Sequence, residues 1–191
     1  IQRPGRHIVR VENTTGGSVT FDGGEIRSVD RRGIKVLYCE GDVTFNNVVT
    51  VTNPANDGLS VQGTSGDVYL AELNTTVTGR SGIHLLDNTG TTTVAGGTIQ
   101  TTGAPGLDLV NAGAELNLAS VQVTNVGGSG DGIYMEGVTG TTVIGLLEVE
   151  YDSGGYGSAL NLANAGTVRV TNGASTVHAA NSQGFDLVNT N

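Results

Sequence analysis

The chain has 191 residues, 31 of them glycine, a net charge of −9, and charged side chains at only 14 % of positions. No glycine recurs at every third position, so it is not collagen. Val, Leu and Ile are too frequent and charge too sparse for a disordered acidic tail, and no apolar run approaches the roughly 18 residues of a membrane-spanning helix. Abundant Gly, Thr, Asn and Val point instead to short strands joined by tight turns.

Charge is unevenly placed. Residues 1–35 carry seven of the nine basic groups and net about +3, whereas residues 36–191 set fourteen carboxylates against Arg80 and Arg169. Most of such a surface repels a phosphate backbone, so nucleic acid is not an expected partner, and no insertion into a membrane is expected. Cys39 is the single cysteine, which rules out an intrachain disulfide. The chain starts at Ile1 without a signal segment and reads as one repeat domain over residues 1–191, expected to be a segment of a longer chain.

An apolar–x–apolar triplet starts at Val9, Ile34, Leu59, Ile83, Leu107, Ile133, Leu160 and Phe185, with spacings of 25, 25, 24, 24, 26, 27 and 25 residues. Within six or seven residues of each of the first seven comes a glycine: Gly16, Gly41, Gly66, Gly90, Gly113, Gly140 and Gly166. A second alternating strand follows it, as in Val43-Thr44-Phe45, Val68-Tyr69-Leu70 and Leu116-Asn117-Leu118. A third comes within a few residues, as in Val49-Thr50-Val51, Val121-Gln122-Val123 and Leu147-Glu148-Val149. Period-2 alternation in all three predicts strands rather than helices. Three such short strands cannot bury an apolar face alone, but stacking each on its copy one repeat later, about 4.8 Å away, closes a continuous core. Gly suits cramped or left-handed corners, and Asn13, Asp87, Asn111, Asn164 and Asn189, four residues after the triplet starts, suit a left-handed turn.

The repeat also predicts which side chains stack outside. The first column reads Arg10, Lys35, Ser60, His84, Asp108, Tyr134, Asn161 and Asp186, and the second places Thr93 beside Asn117. Beyond the third strand, Thr52, Thr78, Thr102 and Thr124 are expected to form a ladder.

This pattern resembles the right-handed, single-stranded parallel β-helix of the pectate-lyase-like superfold. The expected class is all-β, with three short strands per turn and about 7–8 turns of 24–27 residues. Turn length and Gly/Thr/Asn richness are most similar to passenger and adhesin regions of secreted bacterial surface proteins. The resemblance implies a non-enzymatic extracellular or cell-surface rod, about 35 Å long at 4.8 Å per step. Its expected partners are further copies stacked end to end, or host or cell-surface glycans or proteins. The alternative is a carbohydrate-active or glycan-binding β-helix. A third reading, ice binding, rests on the Thr-x-Thr pairs at Thr50–Thr52 and Thr76–Thr78.

No catalytic set emerges. A glycosidase pair needs carboxyls roughly 5–9.5 Å apart, whereas Asp108 and Asp186, like Asp57 and Asp131, lie three turns and about 14 Å apart. The contact candidates are His84, Asp108 and Tyr134, neighbours in the first column, with Tyr151 and Tyr156 at the small excursion 152–157. No cofactor is expected. Ca²⁺ has one candidate place, the acidic corner of Glu40, Asp42 and Asp67, because it takes oxygen ligands.

Overall fold

The computed structural model describes residues 7–29, 32–124, 130–151, 157–179 and 183–188. Among them there is no helix, and so none long and apolar enough to cross a membrane. The strands are β1 (His7–Glu12), β2 (Ser18–Phe21), β3 (Glu25–Val29), β4 (Arg32–Leu37), β5 (Asp42–Thr52) and β6 (Leu59–Gln62). They continue as β7 (Val68–Thr78), β8 (Ile83–Val94), β9 (Gly97–Thr102), β10 (Leu107–Thr124) and β11 (Ile133–Glu136). The last are β12 (Thr139–Tyr151), β13 (Ser158–Ala163), β14 (Thr167–Val170), β15 (Thr176–Ala179) and β16 (Gln183–Val188).

Every pairing between them is parallel, and the chain is a β-solenoid. The triplets stack in one register column: Val9, Ile34, Leu59, Ile83, Leu107, Ile133, Leu160 and Phe185 pair in turn. The second column runs from β2 through β5, β7, β8, β10 and β12 to β14. The third ends on β15. The eight triplets predict seven to eight turns. All three columns pair together through about six turn-to-turn steps, and β13–β16 alone adds one more. In β5, β7, β10 and β12 the second and third strands run on as one continuous strand.

Alternation sets the core. Val61, Leu85, Leu109 and Met135 stack in register with no solvent exposure. Each such burial is worth about 1.5–3 kcal/mol relative to exposure. The stack opens at its last strand, where Phe185 and Leu187 hold inward positions yet are more than half exposed.

Two corner devices make the coil possible. Four residues after each triplet start the backbone is left-handed at Asn13, Tyr38, Gly63, Asp87, Asn111, Gly137 and Asn164. The expected Asn and Asp positions hold, and Asn189 lies outside the described residues. Here Asn111 Nδ2 donates to Asp87 Oδ1 at 3.0 Å, an amide ladder along the coil. At the next corner the need for glycine is crowding. A Cβ on Gly41, Gly66 or Gly90 would lie 2.5, 2.3 or 2.2 Å from a glycine carbonyl oxygen one turn earlier.

Two register expectations are corrected. The Thr-x-Thr motifs do not stack, because an irregularity between Phe45 and Val48 puts Thr50 beside Asn74 and Thr52 beside Thr76. Buried Asn47 sits in that irregularity, its amide donating to the carbonyls of Gly23 and Gly24. Of the expected ladder only Thr78, Thr102 and Thr124 remain in register. Similarly, Thr93 pairs with Glu115 and not Asn117, since the register shifts between Ala112 and Gly113 while Thr89 and Gly90 have no counterpart.

Candidate functional site

Because Ile83 and Leu85 point into the core, His84 on β8 must point out. Register sets it between Ser60 on β6 and Asp108 on β10. There its Nδ1 meets Asp108 Oδ2 at 2.9 Å, with side-chain exposures of 19 % and 27 %. An ionised carboxylate only accepts, so the proton in this bond sits on Nδ1 and Nε2 is the nitrogen left over. The hydrogen bond to Asp108 raises the His84 pKa above the ordinary histidine value against the opposing effect of burial; the charges of Asp108 and Asp57 add to the rise and Lys35 opposes it.

The pair lies in an open groove of about 400 Å³. One wall is the corner Gly79–Ser81, where left-handed Gly79 ends β7; the other is Ala104 and Pro105. Arg80 and Asp57 also line it, and Asp57 Oδ1 accepts the Ser81 N–H at 3.2 Å. Four ionisable groups of mixed sign therefore share one patch of the first sheet.

The structure divides the expected cluster. Tyr134 is in register with Asp108, but its hydroxyl donates to Glu136, two residues along the same strand. That bond, with desolvation, pushes its pKa up to about 12. Tyr151 is a correction. It is 2 % exposed, and its hydroxyl lies against the carbonyls of Gly130 and Ser158. It continues the inward parity of Leu147 and Val149, and burial raises its pKa. Tyr156 lies outside the described residues.

The acidic corner also has a different occupation. Asp42 Oδ1 accepts the Asp67 N–H at 2.9 Å, and Asp67 Oδ1 accepts the Thr91 N–H at 2.8 Å. Each carboxylate thus ties one turn to the next. Asp131 repeats the device, accepting from the Ser158 N–H at 2.6 Å and from Asn161 Nδ2 at 3.0 Å. Among the described residues no group of three His, Cys, Asp or Glu could hold a metal ion.

Sequence reasoning missed a second groove, of about 380 Å³, on the third sheet. Gln122 Nε2 donates to Glu148 Oε2 at 2.5 Å, and Glu150 faces His178 one turn on. The available signal was the break in the threonine pattern at these positions.

No family model, curated protein or solved structure matches the chain. The functional reading therefore stands on the fold and on these surfaces.

Proposed function

We propose that the chain is a structural rod of the cell surface or extracellular space, acting by spacing and display rather than by turnover. The observation that carries this reading is the continuity of the coil. Strands pair through successive turns with only short described corners between them, and the described grooves are shallow depressions on sheet faces. In such a stack each turn touches only its neighbours, so length is set by turn number. The resemblance of turn length and composition to passenger and adhesin regions supports the same reading and is the ground for the proposed location.

Removal of Ile83–Gly106 tests it. This joins Gly82 to Leu107, conserving the Gly-before-triplet junction. The shortened chain is expected to fold cooperatively and, by small-angle scattering, to lose about 4.8 Å of length. Protease accessibility on intact producing cells tests the location. Failure of the shortened chain to fold, or protection from external protease, overturns the reading.

The groove around His84 favours glycan contact as a second reading, because donors and acceptors converge there beside an apolar wall. A glycan array with wild type and Arg80→Ala tests it; no saccharide bound by the wild type removes it.

A further inference from the structure

We propose that His84 is a general base that activates water for hydrolysis of a small acyl ester held in the groove between Gly79–Ser81 and Ala104–Pro105. This goes beyond the rod reading: the spacing and length argument rests on coil continuity and is untouched by either outcome below, whereas turnover here would remove that reading's exclusion of catalysis.

The argument starts from the ring. Asp108 holds the Nδ1 proton, fixing the tautomer, so Nε2 of the neutral ring is a proton acceptor in a side chain that lines the groove. The charged groups acting on it are Asp108 on β10, Asp57 before β6 and Lys35 on β4, and Arg80 lines the same groove. The two carboxylates favour the imidazolium that forms when Nε2 takes a proton, and Asp108 is the positioning residue. Arg80 supplies the positive charge needed where a carbonyl oxygen becomes an oxyanion. Ala104 and Pro105 offer an apolar wall to the acyl group.

Glycoside cleavage by the usual route needs two carboxyls, one of them acting as proton donor; here Asp57 Oδ1 and Asp108 Oδ2 are engaged with Ser81 N–H and the His84 ring. Ester hydrolysis needs only a base, water and oxyanion stabilisation. The water oxygen bonds to the carbonyl carbon while its proton passes to Nε2, and the carbonyl π pair moves onto oxygen beside Arg80. Collapse breaks the bond to the alkoxy oxygen, which takes the Nε2 proton and leaves as the alcohol. Carboxylic acid is the other product, and His84 returns to its neutral form.

The test is hydrolysis of p-nitrophenyl acetate by the full chain from about pH 5 to 9, with circular dichroism confirming the fold of each variant. The expected rate rises with pH through a midpoint above that of an ordinary histidine. His84→Gln lowers it about tenfold or more, the low end or below for general-base catalysis in closed sites. Asp108→Asn moves the midpoint to lower pH, which a merely structural role would not do, and Arg80→Ala lowers kcat more than it raises KM. His178→Gln, on β15 in the other groove, leaves the rate unchanged and serves as the control for exposed imidazole. Absence of turnover above buffer, a wild-type rate in folded His84→Gln, or an equal loss in His178→Gln overturns the proposal.

Discussion

Tyr38 and Gly63 occupy the same corner one turn apart, both left-handed at φ 49° and 58°, and a Cβ on Gly63 would lie 2.6 Å from the Tyr38 ring. The other described residues of this corner are Asn, Asp or Gly. A tyrosine there carries about 1–2 kcal/mol of backbone strain, and with 59 % of it exposed, packing returns little. Tyr38→Asn is therefore expected to stabilise the fold by about 1 kcal/mol in urea melts. Gly63→Ala is expected to cost at least as much, through both φ and the ring contact. Destabilisation by Tyr38→Asn would mean that the ring's cover of Gly63 outweighs the strain.

Gly66 tests the other corner, where crowding alone demands glycine. Its Cβ would sit 2.3 Å from the Gly41 carbonyl oxygen, and backbone cannot swing away as a flexible side chain can. Gly66→Ala is expected to cost about 2–3 kcal/mol as overpacking. Gly79→Ala meets open space but keeps φ at +69°, so its cost is strain alone, about 1 kcal/mol. Equal costs for the two substitutions would show that the turns can separate locally.

What sequence reasoning could reach divides along a physical line. The triplet recurs eight times, the Gly corner seven times and the Asn or Asp corner five times, so any one exception is outvoted by its copies. The column from Val9 to Phe185 and the neighbours of His84 follow from that repetition. The register slips at Asn46–Asn47 and Thr89–Gly90 occur once each, and counting residues from like motifs steps across them. Tyr151 was hidden for a related reason. Its parity is set by Leu147 and Val149 before it, while its position beside an excursion suggests a surface residue. The turn-to-turn use of Asp42, Asp67 and Asp131 is legible only once the backbone N–H of the following turn is seen to face each carboxylate.

Inward parity at the site itself is open to a direct check. Leu109 is fully buried and Asp108 beside it faces the groove. Leu109→Asp places an unpaired charge in the core and is expected to cost several kcal/mol or abolish folding. Asp108→Ala removes a partly exposed pair and is expected to cost less than about 1 kcal/mol. Denaturant melts giving the opposite order would shift the assignment of β10 by one residue.

The His84–Asp108 pair makes stability depend on pH with a defined sign. The folded pKa of His84 is raised by its hydrogen bond to Asp108, above an unfolded value near 6.5. The folded state therefore holds the proton more tightly than the unfolded chain. The stabilisation is complete below the unfolded value and is lost as pH rises through the folded one. In paired urea melts, the advantage of wild type over His84→Gln is expected to be largest near pH 5.5 and to shrink steadily toward pH 8. Asp108→Asn should flatten that trend, because an amide gives no charge to favour the imidazolium. A difference between wild type and His84→Gln that is constant across this range would mean the two side chains touch without their protonation being coupled to folding.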